Sequence, residues 1–413
     1  MIVHSGGLPS DFRKLLGARF LFTFAVQMQA IVLGWRIYDL MKDPLYLGLI
    51  GLMEAIPAIG LALWAGYLVD RLRPLFVYRQ VMYVSLVSGL IVLTEHLFET
   101  RFSLSMQVGL LYAAAFLTGM ARSFAHPALF SAIPKLVERS HLLRASAMSS
   151  SVMQVARIGG PAFGGLIFGF YGAVTASSII CILLVTAAFS MSLIKTEIPR
   201  PQTTHHHNTI TEEFLSGAKF VFKHSILLPA LSLDMIAVLF GGVIGLLPIF
   251  AEEILFVGPK GLGMLRAAPA VGAVGMSLYL SRTNRMRTGK WLLTGVAGFG
   301  FSILIFGLSR NFYLSLAALA FSGAFDSISM VIRSAAVQLS SPDHMRGKIS
   351  AVNSIFIGSS NELGELESGI AAKLMGTIPA VYFGGIICLC TVAIVGFMSP
   401  ALRNLDLAKM ENP

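Results

Sequence analysis

The chain has 413 residues, of which 55% are hydrophobic and 13% charged, and its mean hydropathy is +0.75. A soluble domain carries about 25% charged residues, so this chain cannot cover a water-facing surface, and lipid must be the solvent for much of it. The net charge of +10 sits in short clusters between apolar runs, which excludes a nucleic-acid-binding stripe or tail and reads as membrane topology.

A helix needs about 20 mostly apolar residues to cross a bilayer. Runs of that kind are predicted at 15–38, 45–69, 75–94, 105–126, 146–170 and 173–194. The first is long enough to stay as a span and no small-residue cleavage pattern precedes it, so a removed leader is not expected. A polar stretch follows from Lys195 to Ser225, holding Pro199, Pro201 and the run His205, His206, His207. The histidines have no Cys or acidic companions, so a solvated linker is expected there and not a metal site. Six more runs come near 227–250, 261–281, 290–308, 312–334, 347–374 and 378–399. Cys181, Cys388 and Cys390 all fall inside apolar runs, as small packing residues without a disulfide or metal spacing.

Placing the N-terminus in the cytoplasm puts 22 of the 31 Lys and Arg on the inner side, Arg19, Arg71, Arg73 and Arg333 among them, and six on the outer side. Arg122, Arg157 and Arg266 lie within spans. That bias fixes the orientation, and an even number of spans puts both termini inside. The two halves also repeat. Leu52-Met53-Glu54-Ala55-Ile56-Pro57-Ala58-Ile59-Gly60 in span 2 resembles Met264-Leu265-Arg266-Ala267-Ala268-Pro269-Ala270-Val271-Gly272 in span 8, with the prolines 212 apart. Ser146-Ala147-Met148-Ser149-Ser150 in span 5 resembles Ser350-Ala351-Val352-Asn353-Ser354 in span 11 at an offset of 204, which also sets Gly160 and Gly165 on Gly364 and Gly369. Each match joins a span to the sixth after it, so the halves share one orientation. The expected architecture is an all-α membrane protein of twelve transmembrane helices in two six-helix pseudo-symmetric bundles. They cover 1–194 and 226–413, with a cytoplasmic linker over 195–225.

The loop after span 2 reads Gly66-Tyr67-Leu68-Val69-Asp70-Arg71-Leu72-Arg73-Pro74. Gly66 is expected to admit a close helix neighbour, Asp70 to face a helix N-terminus or a basic residue, and Arg71 and Arg73 to hold the cytoplasmic end. This segment resembles motif A of the major facilitator superfamily, which implies a latch between the halves on that side. Span 5 carries Gly159-Gly160-Pro161-Ala162-Phe163-Gly164-Gly165. Its glycines and proline give close packing and a local bend, and it resembles motif C, found in exporters of that superfamily. The gating candidates are therefore Gly66, Asp70, Arg71, Arg73, Gly160, Pro161, Gly164 and Gly165. Gly34-Trp35-Arg36-Ile37-Tyr38-Asp39-Leu40, the stretch from Gly48 to Pro57, and Phe356-Ile357-Gly358-Ser359-Ser360-Asn361-Glu362-Leu363-Gly364-Glu365 are similar to the branch of enterobactin exporters and transmembrane secretion effectors. The resemblance implies the major facilitator fold and transport of a small molecule, without selecting the compound.

Ionisable residues at membrane depth are costly and are functional candidates by default. They are Glu54, Arg157, Asp234, Arg266, Asp326, Glu362, Glu365 and Glu367. Under the repeat, Glu54 aligns with Arg266 and Arg157 with Asn361, so opposite charges stand at equivalent depth. Either Glu54 and Glu362 exchange protons while Arg157 holds an anionic substrate group or repels a proton, or the charges are buried pairs that fix helix packing. Gln27, Gln29 and Asn361 are candidate substrate contacts.

The chain has no Gly-x-x-x-x-Gly-Lys phosphate loop, so no nucleotide motor is expected. Nor is a catalytic constellation present in the spans, so it does not read as an enzyme. The expectation is a proton-driven secondary exporter of a small amphipathic compound, drug-like or siderophore, working by alternating access without a cofactor. It is placed in the bacterial inner membrane as a monomer with both termini cytoplasmic, in contact with lipid and not with nucleic acid. The alternatives are a metal-ion or lipid carrier of the same fold and a non-transporting receptor or scaffold.

Overall fold

The apolar runs become helices because a chain in lipid must satisfy every backbone N–H and C=O internally. A computed structural model describes residues 9–138, 141–196, 210–280, 282, 288–342 and 345–407, with the side chains of Asp70 and Glu362, among others, outside the described set. His205, His206 and His207 also lie outside it. The chain divides into two units, one of Met1–Leu40 and Met53–His205, the other of Met41–Leu52 and His206–Pro413.

Unit one is built from α1 (Ser10–Met41), the second half of α2 (Pro44–Gly60), α3 (Ala62–Arg71), α4 (Pro74–Leu97), α5 (Leu104–Leu136) and α6 (Leu142–Ser192). Span 2 is interrupted. Pro57 sits inside α2 and the helix stops at Gly60, so α3 restarts after Leu61. Proline removes a helix donor and crowds the preceding turn, which places the break just beyond it. The two apolar runs from 146 to 194 form one long element whose path is broken at Gly172, with φ 84° and ψ 175°. Only glycine takes that conformation without strain, so α6 is two spans joined at a single residue.

Unit two contains the first half of α2, then α7 (Ile210–Lys223), α8 (Leu227–Gly241), α9 (Leu247–Ile249), α10 (Gly258–Leu280) and α11 (Gly289–Leu308). It continues through α12 (Phe312–Ser340), α13 (Arg346–Met375), α14 (Thr377–Met398) and α15 (Pro400–Arg403). Among the described residues nine helices are long and apolar enough to cross a membrane. Dividing α6 at Gly172 and adding α2–α3 and α13 is consistent with twelve. The stretch expected to be only a solvated linker contains α7, a 14-residue helix. Val221 on it is fully buried with Leu227, Leu231, Val337, Ile349 and Val352. At that length it is too short to cross a bilayer, and its apolar residues serve to dock it on α8 and α13.

The internal repeat has a packing counterpart in each unit. A Cβ added at Gly119 on α5 would come within 2.7 Å of the Glu54 Cα, and one at Gly323 on α12 within 2.6 Å of the Pro269 Cα. The two glycines are separated by the same offset of 204 that relates spans 5 and 11. Each lets a long helix cross directly on the backbone of a proline-containing one.

Candidate transport site

In unit one the glycine run of α6 sets the position of the charged groups. A Cβ at Gly160 would lie 2.7 Å from the Gln27 Cβ and 2.9 Å from the Phe24 carbonyl, and one at Gly164 would lie 3.0 Å from the Met28 Cα. Side chains at 160 and 164 would hold α1 off, so the glycines are what lets α1 and α6 touch. Phe24 and Phe163 close the same seam with ring centroids 5.7 Å apart. Pro161 and Gly165 are buried in this stretch. Gln27 contributes its stem to the contact.

Arg157 sits one turn before that crossing, and Met153 and Ser149 lie one and two turns before Arg157 on the same face. The guanidinium of Arg19 on α1 donates to the Ser149 hydroxyl and approaches the Met153 sulfur at 3.2 Å. Arg122 on α5 donates to Glu54 on α2 at 2.8 Å, with Glu54 mostly covered and Arg122 about half exposed. Both Arg122 and Arg19 are near enough to Arg157 to repel it electrostatically. Protein atoms crowd Arg157, yet its side chain still meets solvent, and it has no hydrogen bond or ion pair among the described residues. Arg122 and Arg19 thus both act on Arg157, and Arg122 holds Glu54.

Unit two holds a second charged group. Asp234 on α8 and Arg333 on α12 form an ion pair with side chains only 7% and 5% exposed. Asp326, two turns before Arg333, lines a narrow cleft of about 10 Å³ with Asp234, Ala237, Val238, Val296, Phe299 and Ser329. Asp326 has no hydrogen bond or ion pair among the described residues, and the buried Ser329 hydroxyl finds no partner there. Two carboxylates thus line one cleft, and one of them, Asp234, is paired with Arg333.

The turn between α1 and α2 is tied down within unit two. Lys42 pairs with Glu252, and Asp43 with Lys373. Gly48 then lies backbone to backbone against Gly369, whose added Cβ would fall 2.7 Å from the Gly48 Cα. Partial burial would push the Asp43 carboxyl up, but the bonds from Lys373 and the Leu45 N–H outweigh it and hold the group below its ordinary value.

The sequence candidates divide accordingly. Glu54 pairs with Arg122, which acts electrostatically on Arg157, and Asp234 and Asp326 share a cleft. Arg266 is half-buried on α10, Glu367 half-buried on α13, and Glu365 lies beside Gly245, all in unit two. The side chains of Glu362 and Asp70 fall outside the described residues, while Arg71 and Arg73 are exposed. Gly66 departs from the expected close packing, because a Cβ there would meet nothing within 4 Å among the described residues. Gln29 has a packing role. It is 2% exposed, with its amide donating to Ser88 at 2.7 Å and Thr118 at 3.2 Å. Asn361 is exposed and bonds its own helix at the Ile357 carbonyl. Sequence reasoning missed Arg19 and Arg333, which it assigned to the cytoplasmic flank. It also missed Arg36, which reaches the fully buried Glu95 at 2.9 Å. An acidic residue at matching depth in another span was the available signal for Arg333.

The family model described as transmembrane secretion effector matches residues 9–412. The chain is 20% identical over 380 residues to the staphyloferrin A transporter of Staphylococcus aureus (strain NCTC 8325 / PS 47), covering 90% of this chain and 92% of that protein. It is 24% identical over 275 residues to an uncharacterized transporter of the major facilitator type from Bacillus subtilis (strain 168), covering 64% of this chain and 66% of that protein. Its fold matches a bacterial homologue of the iron transporter ferroportin, solved in an inward-facing state, with a TM-score of 0.72 at 14% identity over 99% of this chain and 100% of that one. The fold is that of the major facilitator transporters.

Proposed function

The chain belongs to the transmembrane secretion effector family, and from that premise we propose that it exports a small amphipathic molecule, of siderophore or drug-like type, driven by the proton gradient. Its place in the same proposal is the bacterial inner membrane, with both termini cytoplasmic and no cofactor. The halves rock about the substrate by alternating access. The observation that supports this reading is in unit one, where among the described residues Arg157 has neither hydrogen bond nor ion pair, and Arg122, which holds Glu54, acts on it electrostatically. An unpaired charge inside a span is costly unless it faces a water-filled path and awaits a partner, and a substrate group supplies that partner.

In the empty carrier Glu54 holds Arg122, so less charge has to cross on the return stroke. Asp326 and Glu362 are the carboxylates proposed to take up the proton for that stroke. The glycine seam between α1 and α6 serves as a rigid hinge face, and Asp70 with Arg71 and Arg73 as the latch. A mass-spectrometric comparison of medium and cell extract tests the reading. Cells expressing the parental chain should move a compound into the medium that vector-only cells retain, and a protonophore should stop the transfer. Identical pools in the two strains would contradict it.

A further inference from the structure

The helix α7 ends at Lys223, three residues before α8 begins at Leu227, so its last turn lies where a span leaves the bilayer, at headgroup depth. Val221 docks it within unit two, yet Leu215 and Phe222 remain 67% and 59% exposed. Lys219 and Lys223 share their face, since positions three, four and seven apart line up on a helix. Both lysines are exposed and have no hydrogen bond or ion pair among the described residues. Like charges one turn apart repel, and an anion shared between them would remove that cost. The acidic residues of α7, Glu212 and Glu213, fall in its first turn. Beside the lysines lies an open pocket of about 350 Å³, lined by Ser216, Lys219, Phe220, Lys223, His224 and Met345. The His224 Nδ1 accepts the backbone N–H groups of Ile226 at 3.2 Å and Leu227 at 3.3 Å, which caps the start of α8. With Nδ1 an acceptor, the ring proton sits on Nε2 and is left to donate. Partial burial holds the ring below its ordinary value, in keeping with that neutral form. Phe220, its ring centroid 5.5 Å from that of His224, and Met345 give the pocket apolar walls.

We infer that this pocket binds the phosphate of an anionic phospholipid from the adjoining leaflet, with Lys219 and Lys223 as cationic partners and His224 as a third donor. Leu215 and Phe222 then enter the acyl boundary beside the headgroup. The inference takes from the family only that the chain lies in a membrane, and it is independent of what is exported. An amphipathic helix with lysines beside apolar residues lies in the plane of the interface, held by buried apolar area and by attraction to anionic lipid. A soluble phosphate would engage the lysines but leave Leu215 and Phe222 in water, whereas a lipid engages the whole face. Lipid held there also braces the entry to two spans. His224 caps α8, and α7 lies on the first turn of α13, where a Cβ at Gly217 would fall 2.8 Å from the Lys348 carbonyl.

The test uses the purified full-length protein, delipidated in a non-ionic detergent at fixed low ionic strength. It is titrated with phosphatidylglycerol, phosphatidylcholine and soluble glycerol phosphate, and bound ligand is counted by native mass spectrometry. Phosphatidylglycerol should bind about tenfold more tightly than phosphatidylcholine. Lys219→Gln with Lys223→Gln should remove that preference, and Lys219→Arg with Lys223→Arg should keep it. Lys290→Gln with Arg403→Gln, at exposed cations outside the pocket, should leave it unchanged. Leu215→Ser should weaken phosphatidylglycerol by about threefold or more and leave glycerol phosphate unaffected. Equal affinity for the two lipids, or a preference that survives the loss of both lysines, would overturn the inference. So would a preference lost equally when Lys290 and Arg403 are replaced, which would mean a diffuse basic surface. Glycerol phosphate bound as tightly as phosphatidylglycerol would overturn it too, by assigning the pocket to a soluble anion. Should the double Gln variant fail to fold, the two single Gln variants decide it, each with a loss of about threefold.

Discussion

Replacing Arg333 with Met would leave two carboxylates, Asp234 and Asp326, in one narrow cleft without their arginine. Both members of the pair are nearly sealed from solvent, so water cannot make good the loss. Breaking a buried ion pair by deleting one partner costs about 3–5 kcal/mol, whereas replacing both with apolar side chains of similar volume is often neutral or better. For a unit of this size the single substitution corresponds to a fall of roughly 10 °C in melting temperature. Asp234→Leu combined with Arg333→Met should recover most of that fall. The assay is thermal unfolding of detergent-purified protein, followed by loss of monodispersity, for parental chain, both single variants and the double. A double variant no more stable than Arg333→Met would refute the view that the pair is a charge-compensating unit. If the double variant regains stability but not export, the cleft has a role beyond packing.

The glycine contacts separate two motifs. Gly160→Val should cost about 1–3 kcal/mol through overpacking, because even a Cβ meets Gln27 and the Phe24 carbonyl closer than 3.0 Å. Gly66→Ala, with open space around it, should be neutral or stabilising by up to about 1 kcal/mol; melting temperatures of the two variants check both. The Asp43–Lys373 pair should show acid sensitivity. The folded carboxyl lies below its ordinary value of 3.8, so its stabilisation is complete above that value and is lost as pH falls through the lower folded one. Melting curves from pH 7 down to pH 3 should therefore lose this contribution only below about pH 4, and Asp43→Asn should abolish that limb.

Helical spans were legible because lipid admits few other ways to satisfy the backbone. Where the apolar runs paused, the structure usually breaks, as between spans 5 and 6 at Gly172. The docked helix α7 was not legible by the same test, since a 14-residue amphipathic segment is too short to register as a span. At the site, the cost of burying charge singled out Glu54, Arg157, Asp234 and Asp326 as unusual. It could not supply their partners. Sequence fixes approximate depth along a helix but not the direction in which a side chain points. Arg19 and Arg333 therefore read as flanking cations, although one bonds Ser149 on another helix and the other is buried against Asp234. Gln29 shows the converse, a polar residue mid-span whose hydrogen bonds are spent inside the unit.

Proton-coupled export is tested most directly in everted membrane vesicles, where an exporter faces inward and respiration builds an acidic lumen reported by a pH-sensitive dye. The compound recovered from the medium of expressing cells is added to vesicles carrying the parental chain, Asp326→Asn or Glu362→Gln. The account predicts that the parental vesicles release lumenal protons as they accumulate the compound, and that both variants, present in the membrane at equal amounts, do neither. Accumulation at the parental rate in both variants, or accumulation with no proton release, would contradict it.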